Sequence, residues 1–467
     1  MAEAPAIPKR SARALAQAVR EGRQSSLALV DTCLRRIAED DPRVHALVTL
    51  DPDGARRDAA AIDAVVARGE DPGPLAGVPM TIKDMHDTAG LTTSYGLPWR
   101  AGHRPERDSV AVARLRAAGA VILGKTTLPL AGYDWQTRHP RHAVTNHPLD
   151  PTRTCGGSSG GAAVALALGF TCLELGADLA GSIRVPSHFC GTFGLKTSEG
   201  LVPVEGHGPP ESQRVHLDMV VVGPMGRCVD DLALELDVLT ASAHAPSARM
   251  PRRIAFTDTL CGVRADHETR VALDRLLERL RRNGVEVVRA TPPACEGTAP
   301  LELWGAINGH QFAQCWPWPL RTWPLRQGFR FGPAALVVGR SVFSRALARG
   351  MASSARALAA AQGRRADFAR RLDDWLGAFD LFLAPCAATT AFTHRARPRP
   401  IDVDGQPVPY SMAQSAFCCP FNLGGGPALA MPIGSSSEGL PIGVQCCAPR
   451  GSDRALLDLG LAIERLG

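Results

Sequence analysis

The stretch Gly156-Gly157-Ser158-Ser159-Gly160-Gly161 is followed, 24 residues on from Ser158, by Ser182 within Asp178-Leu179-Ala180-Gly181-Ser182-Ile183-Arg184. Glycine accepts positive φ and close approach of the backbone, so turns of this composition can point several N–H groups at one spot. A serine in such a bend is exposed and has oxyanion donors beside it. The two stretches therefore predict a serine nucleophile and a second serine that relays its proton.

The same glycine clusters are open to two other interpretations, a flexible linker or a phosphate-binding loop. A phosphate-binding loop needs a lysine directly after its last glycine. Gly161 is followed instead by the apolar run of residues 162–168, which is typical of a buried helix. We therefore expect a helix here and no nucleotide site.

The base that would activate Ser182 is expected to be a lysine. Only four of the 52 Lys and Arg residues are lysines, namely Lys9, Lys83, Lys125 and Lys196. A guanidinium stays protonated in proteins, whereas a buried ammonium can lose its proton and act as a base. Compositional drift can explain any single lysine, and Lys9 lies in a polar tail. Lys83 is distinguished by its setting, because it ends the short β-prone run Gly77-Val78-Pro79-Met80-Thr81-Ile82.

Taken in order, these motifs resemble the amidase signature family. The resemblance covers roughly residues 70–230 and 375–467 in detail and the stretch between them loosely. Its further motifs are Phe189-Cys190-Gly191, Phe193-Gly194-Leu195-Lys196, Gly223-Pro224-Met225, Phe421-Asn422-Leu423 and Gly439-Leu440-Pro441-Ile442-Gly443-Val444-Gln445. The resemblance implies an α/β fold, a single large domain with a central mixed twisted sheet surrounded by helices.

The resemblance also implies roles for individual residues. Ser182 would be the nucleophile, Ser158 the bridging serine after a cis peptide bond, and Lys83 the final base. Backbone N–H groups of Leu179, Ala180, Gly181 and Ser182 would stabilise the oxyanion. Supporting roles fall to Ser159, Asp178 and Arg184, since the mechanism needs no further charge.

Ala180 departs from the pattern, because glycine is usual at its position. Allophanate hydrolases are similar to this chain in having alanine there. A methyl group on this loop predicts a narrower pocket.

Substrate-binding residues are harder to assign from the sequence. Trp316, Trp318 and Trp323 lie among several prolines and arginines. They are open to two interpretations, an aromatic wall for an apolar or aromatic acyl group or a proline-stiffened surface loop. Gly157 and His207 are further candidates for contact with the substrate.

Length and composition agree with a single large enzyme domain. The chain has 467 residues, of which 45% are hydrophobic and 21% charged, enough to bury a large core. We divide the domain into an N-terminal helical part (1–70), a catalytic core (71–230), a variable substrate-specificity region (231–374) and a C-terminal part that completes the core (375–467). The net charge of +6 is mild and the arginines are dispersed, so no nucleic-acid partner is expected.

Cysteine usage and hydropathy predict a cytoplasmic protein. No signal peptide is apparent, and the longest apolar stretch is too short to span a bilayer. The thirteen cysteines lack Cys-x-x-Cys spacing, which favours reduced thiols. His139, His142 and His147 lack further ligands at metal-binding spacing, so we expect neither a metal nor an organic cofactor. The expected partner is a small-molecule amide, and any self-association would be as a homodimer.

The resemblance implies hydrolysis of a small carboxamide or other amide, and three alternatives stay open. One is the glutaminase subunit of a tRNA-dependent amidotransferase. Another is acyl transfer to an amine or internal nucleophile from the same acyl-enzyme. The last is a non-enzymatic binding protein on a retired amidase scaffold, against which the joint presence of Lys83, Ser158 and Ser182 argues.

Local patterns predict an alternation of helices and strands, as expected for an α/β protein. Helices are predicted at residues 11–21, 25–38, 53–68, 109–118, 269–283 and 369–377. Strands are predicted to end at Lys83 and to cover residues 120–124, 285–289 and 379–385.

Overall fold

The strands of the protein form one large sheet and two hairpins. A computed structural model describes residues 11–139, 142–244, 247–315 and 341–466. In chain order its strands are β1 (Leu47–Leu50), β2 (Pro79–Lys83), β3 (Val121–Thr126), β4 (Leu173–Asp178), β5 (Phe193–Lys196), β6 (Val221–Gly226), β7 (Arg253–Phe256), β8 (Thr259–Leu260), β9 (Val263–Arg264), β10 (Glu286–Arg289), β11 (Leu381–Pro385), β12 (Ile401–Val403), β13 (Gln406–Val408), β14 (Ala428–Ser435) and β15 (Pro441–Cys447). Eleven of these described strands form a sheet in the order β1-β3-β2-β4-β6-β5-β14-β15-β11-β7-β10, while β8 pairs with β9 and β12 with β13.

The large sheet is mixed. β2 runs parallel to β3 and β4, and β7 runs parallel to β10 and β11. The other neighbours are antiparallel, including β5 and β14, which are far apart in the sequence. The predicted α/β class with a central mixed sheet is confirmed. The first described strand, β1, and the last, β15, both belong to this sheet, so the described chain forms one domain.

Helices surround this sheet. The α-helices of the described residues are Ala12–Arg20, Ser26–Val44, Pro52–Ala67, Val110–Ala117, Gly160–Ala167, Arg184–Cys190, Pro210–Gln213, Val229–Thr240, His267–Arg282, Ala299–Gln314, Val342–Met351, Ala355–Leu376, Met412–Gly424 and Asp453–Glu464. None of these described helices is both long and apolar enough to cross a membrane.

The first two helices begin where the sequence predicts, because serines cap them. Ser11 Oγ accepts the N–H of Ala14 and Ser25 Oγ accepts the N–H of Ala28, each at 3.2 Å. These bonds satisfy donors that have no partner inside the helix. The prediction that the second helix ends at residue 38 is wrong, because that helix continues to Val44.

Both faces of the sheet are covered by apolar side chains. In β2, Met80 and Ile82 pack into the largest apolar cluster of the described residues. Residues that alternate with them point to the opposite face, as the pleat requires. The helix Gly160–Ala167 contacts β2 and is buried from Gly160 to Leu166, as the apolar run predicts. Lys83 therefore ends a fully buried strand.

Candidate active site

Two neighbouring strands bring the lysine and the nucleophile stretch together. β2 ends at Lys83 and β4 ends at Asp178, and these strands pair in parallel with Ile82 opposite Leu175. The carboxyl ends of parallel neighbours meet at the same edge of a sheet, where α/β proteins commonly bind ligands. Lys83 thus lies beside the loop of residues 179–182.

The ammonium group of Lys83 contacts both serines of the first stretch. Its Nζ lies 2.8 Å from Ser158 Oγ and 2.9 Å from Ser159 Oγ, and 3.4 Å from the carbonyl oxygen of Ala177. Only 1% of Lys83 is exposed. The base predicted from the sequence and the bridging serine are therefore within hydrogen-bond reach of each other.

Burial lowers the pKa of Lys83 toward neutral pH. Loss of hydration disfavours the charged form and lowers the pKa of Lys83 to about 7, while the nearby carboxyl groups of Asp178 and Glu174 oppose that shift. A lysine in water titrates with a pKa of about 10.4. At neutral pH a substantial share of the Lys83 side chains is therefore neutral and can accept a proton.

The two serine stretches adjoin through their backbones. The peptide bond between Gly157 and Ser158 is cis, as the resemblance implies. The N–H of Ser159 donates to the carbonyl oxygen of Ser182 at 3.1 Å. Ser158 is buried, whereas Ser182 is partly exposed. The arrangement has a buried ammonium group, a buried hydroxyl in contact with it and a partly exposed hydroxyl.

The other two described lysines are also buried, which agrees with their rarity in the sequence. Lys125 donates to the carbonyl oxygen of His86 at 2.5 Å and to Thr88 Oγ1 at 2.8 Å, while Lys196 donates to the carbonyl oxygen of Thr197 at 2.9 Å. Burial lowers the pKa of each ammonium to about 8. Neither contact involves Ser158, so Lys83 is the lysine that the fold assigns to the serine pair.

A buried ion pair anchors the loop of residues 179–182. We call it the nucleophile loop because the sequence predicts a nucleophile at Ser182. Arg184 lies 3.0 Å from Asp178 through both Nε and Nη2, and neither side chain is exposed. Burial alone would raise the pKa of the Asp178 carboxyl, but the Arg184 guanidinium and a hydrogen bond from Asn422 hold that pKa well below its usual range. Arg184 also donates to Gln445 Oε1 at 2.7 Å and to Asn422 Oδ1 at 2.5 Å. The C-terminal motifs therefore meet the nucleophile loop through Arg184.

Replacing Arg184 with methionine is expected to destabilise the fold strongly, because Asp178 would remain buried without its cation. Removing one partner of a buried ion pair costs about 3 to 5 kcal/mol. Chemical unfolding followed by circular dichroism measures the free energy of unfolding. Arg282→Met is a matched control, since Arg282 forms an exposed helical pair with Glu278 that contributes roughly 0.3–0.5 kcal/mol. Equal losses in the two variants would contradict this account.

The backbone N–H groups of the nucleophile loop differ in their partners. The N–H of Gly181 donates to Asp178 Oδ1 at 2.8 Å and the N–H of Ile183 donates to Asp178 Oδ2 at 3.1 Å. Within the described residues, no protein acceptor is found for the N–H groups of Leu179, Ala180 and Ser182. Three of the four predicted oxyanion donors therefore have no acceptor among the described residues, and that of Gly181 supports the loop.

Comparison with known proteins agrees with this geometry. The model of the amidase family matches residues 28–457. The chain belongs to the amidase signature family. Its relatives include a glutamyl-tRNA(Gln) amidotransferase subunit of Salinispora tropica, 31% identical over 97% of this chain and 96% of its own. The acylamidase of Rhodococcus erythropolis is 28% identical over 96% of this chain and 93% of its own.

The fold agreement extends over nearly the whole chain. A crystal structure of an amidase is 30% identical and superimposes with a TM-score of 0.83, covering 98% of this chain and 100% of that chain. The resemblance seen in the motifs is confirmed. This chain is an amidase, an enzyme that hydrolyses amide bonds.

Ser158 and Ser182 of the amidase line a cavity of about 780 Å³. Lys83, Ser158 and Ser182 all line it, together with Leu179 and Ala180 of the nucleophile loop. Its walls are largely apolar and include the aromatic residues Trp99, Tyr133, Trp135, Trp304, Phe312 and Phe343. A cavity of this size and lining suits a small ligand with an apolar part.

Among the predicted substrate-binding residues, His207 lines the cavity of the amidase, 4.9 Å from the ring of His86. Gly157 is outside the cavity lining, and a Cβ there would lie 2.6 Å from the carbonyl oxygen of Asp134. Gly157 thus permits close packing of the backbone rather than contact with a ligand. Trp316 and Trp318 lie outside the described residues.

Sequence reasoning missed the aromatic residues that line the cavity. Trp304 and Phe343 belong to helices of the loosely matching middle region, and Trp135 lies upstream of the first serine stretch. These residues belong to none of the sequence motifs. The tryptophans are therefore the only sequence signal for this part of the wall. The expectation of an aromatic wall rested on Trp316, Trp318 and Trp323, which all lie outside the described residues, whereas the described wall comes from other positions.

Proposed function

We propose that this amidase hydrolyses a small amide through an acyl-enzyme on Ser182, with Ser158 and Lys83 as proton relay. The observation that carries the proposal is the distance of 2.8 Å between Lys83 Nζ and Ser158 Oγ at the wall of a cavity that Ser182 shares. A pKa of about 7 lets Lys83 act as the base near neutral pH.

Acylation begins with two coupled proton transfers. Neutral Lys83 takes the proton of Ser158, which takes the proton of Ser182 while Ser182 Oγ attacks the amide carbonyl. The negative charge on the carbonyl oxygen is met by N–H groups of the nucleophile loop. The C–N bond then breaks, and the leaving amine receives the proton back through Ser158.

Deacylation repeats the relay with water. Water gives a proton to the relay as it attacks the ester carbonyl of the acyl-enzyme, and the relay returns that proton to Ser182 Oγ as the C–O bond to Ser182 breaks. The products are a carboxylic acid and free Ser182. Interception of the same ester by an amine would give acyl transfer instead, so the two reactions differ only in the second nucleophile.

The cavity walls favour an apolar or aromatic acyl group. Tyr133, Trp135 and Trp304 offer aromatic faces near the nucleophile loop, and apolar ligands gain by burial against them. The glutaminase alternative has support in the relatives named as amidotransferase subunits. Glutamine, however, would bring a charged α-ammonium and carboxylate against walls that are mainly apolar. It would therefore depend on charged residues of the lining such as Asp134, Arg138 and Glu211 to pair with these groups.

A substrate comparison tests this proposal. We expect p-nitroanilides of aromatic and medium-chain acids to be hydrolysed with higher kcat/KM than p-nitroacetanilide, and glutamine to release little ammonia. The release of p-nitroaniline and of ammonia measures the two activities on the same preparation. Preferential release of ammonia from glutamine would contradict the apolar-acyl assignment and favour the glutaminase.

The pH dependence of kcat/KM is expected to show an ascending limb near pH 7. The neutral form of Lys83 is the active one, so activity rises as pH passes upward through the pKa of about 7. Burial lowers the pKa of His207 to about 3 and that of His86 well below its usual value. Neither histidine titrates in this range, and the limb should therefore persist in His86→Gln and His207→Gln.

A histidine base would behave differently. If the limb disappears in either histidine variant while circular dichroism shows an intact fold, the base is that histidine and not Lys83. The limb is followed with the best p-nitroanilide of the panel, in buffers of equal ionic strength.

We also propose that the enzyme acts in the cytoplasm, without a nucleic-acid partner and as a monomer or homodimer. All thirteen cysteines are free, and all but Cys228 and Cys315 are buried, which suits a reducing compartment. Light scattering coupled to size exclusion measures the oligomeric state. A stable complex with tRNA or with other subunits would contradict this part of the proposal.

A further inference from the structure

Two tryptophan side chains hold the carbonyl groups of the nucleophile loop. Nε1 of Trp304 donates to the carbonyl oxygen of Leu179 at 3.1 Å, and Nε1 of Trp135 donates to the carbonyl oxygen of Ala180 at 2.8 Å. Trp304 is only 3% exposed. Two consecutive peptide groups of the loop each accept a hydrogen bond from an indole N–H. Both tryptophans lie outside the signature motifs.

The planar trans peptide places the N–H opposite the carbonyl of the same group. The bond from Trp304 to Leu179 therefore directs the N–H of Ala180 away from Trp304. No protein acceptor for this N–H is found in the described ranges. The next peptide differs, because its N–H belongs to Gly181 and donates to Asp178 at 2.8 Å.

We propose that Trp304 is a positioning residue for the oxyanion donor N–H of Ala180, with Trp135 fixing the following peptide. A hydrogen bond to a carbonyl oxygen polarises the peptide group, and the N–H of that group becomes a stronger hydrogen-bond donor. Trp304 thus both orients the donor and improves it. This inference rests on the proposed acyl-enzyme mechanism, since an oxyanion forms only if Ser182 attacks a carbonyl.

The indole of Trp304 is held in place by aromatic packing. It stacks on Phe343 with ring centroids 4.9 Å apart and an angle of 29° between the planes. The ring of Trp135 lies 5.6 Å from the same phenyl ring. Phe343 therefore links the two indoles, and a shift of either ring would disturb the other.

The helices that carry Trp304 and Phe343 are packed closely enough to fix these rings. A Cβ at Gly305 would lie 2.7 Å from Ala346 Cβ, and one at Gly309 would lie 2.3 Å from the carbonyl oxygen of Leu347. Glycine at these two positions allows the backbones to approach without a side chain between them. The position of the Ala180 N–H in the nucleophile loop thus depends, through Trp304, on a closely packed helix pair of the middle region.

The test removes the indole N–H of Trp304 without removing the ring. 3-Benzothienylalanine, incorporated at position 304, replaces the N–H by sulfur and keeps the bicyclic shape, and Trp304→Phe is the encoded counterpart. When an alkyl fluorophosphonate reacts, Ser182 Oγ forms a bond to phosphorus and fluoride leaves, and the negative charge that builds on the phosphonyl oxygen during the attack needs the same donors. Its inactivation kinetics separate the maximal rate constant kinact from the binding constant KI.

We expect kinact to fall about 10- to 100-fold in the benzothienyl variant, because a donor out of place by about 1 Å costs up to ~10²-fold. KI should change little, since the ring remains in the cavity wall. Trp375, which packs on Phe379 and Phe382 and does not line the cavity, is the matched control. Trp375→Phe should leave both constants unchanged.

Three results would overturn the inference. An unchanged kinact in both variants at position 304 means that the indole N–H does not position the donor. An equal fall of kinact in Trp375→Phe, or a fall that follows the melting temperature, assigns the effect to general stability. Failure of the unmodified enzyme to react would refute the proposed acyl-enzyme itself and the inference with it, so the two failures are distinguishable.

Discussion

Ser182→Ala is expected to abolish amide hydrolysis, with a fall in kcat of about 10⁶-fold, the loss seen when a serine hydrolase loses its nucleophile. The substitution removes one hydroxyl and keeps the backbone contact between Ser182 and Ser159. Folding should therefore be preserved. Hydrolysis of the best p-nitroanilide measures the rate, and circular dichroism checks the fold.

Ser437→Ala is the matched control for this experiment. Ser437 is an exposed serine outside the cavity lining, and its hydroxyl donates to Glu268. The control should keep the full rate. Substantial turnover by purified Ser182→Ala protein, above that of a mock preparation, would contradict the assignment of the nucleophile.

Lys83→Arg is expected to be nearly as damaging as Lys83→Ala, with a loss of about 10²- to 10⁴-fold in kcat/KM. Arginine keeps the positive charge but cannot give up its proton at physiological pH. The side chain is also larger, and the site is closed, since Lys83 is almost fully buried. Steady-state kinetics of both variants on one substrate make the comparison.

The same substitution at Lys9, in the polar N-terminal stretch of the sequence, is the control and should have no effect. A near-normal rate in Lys83→Arg would show that the charge at this position suffices. Lys83 would then be an electrostatic anchor, and the base would lie elsewhere.

The sequence allowed prediction of the parts that depend on local chemistry. The rarity of lysine and the β-prone run before Lys83 predicted a buried lysine at a strand end, and Lys83 ends β2. The serine caps predicted helix starts because a cap acts within four residues of the chain. The mixed sheet followed from the motif resemblance and not from periodicity, which says nothing about strand order.

Contacts between distant segments escaped prediction. Trp304 reaches a carbonyl 125 residues away in the chain, and Arg184 reaches Gln445 across 261 residues. Such contacts depend on how helices and strands from distant parts of the chain are arranged in three dimensions. Asn422 and Gln445 were visible as motif residues, but their role as partners of Arg184 appears only in three dimensions.

The oxyanion donors illustrate the same difference. The resemblance implied four equivalent N–H groups, but the carboxylate of Asp178 takes the N–H of Gly181. Gly181 has φ of +97°, and a Cβ there would lie 2.6 Å from Cys418 Sγ. Glycine at this position is thus required by backbone shape and packing, which a loop motif alone does not separate from catalysis.

The most direct test of the central claim is to map the covalent adduct of an alkyl fluorophosphonate. After reaction, protease digestion and tandem mass spectrometry locate the modified residue. The account predicts one phosphonyl group per chain, on Ser182 and not on Ser158, with no adduct in the Ser182→Ala protein. An adduct on Ser158 or on any residue other than Ser182, or none at all on the active enzyme, would contradict it.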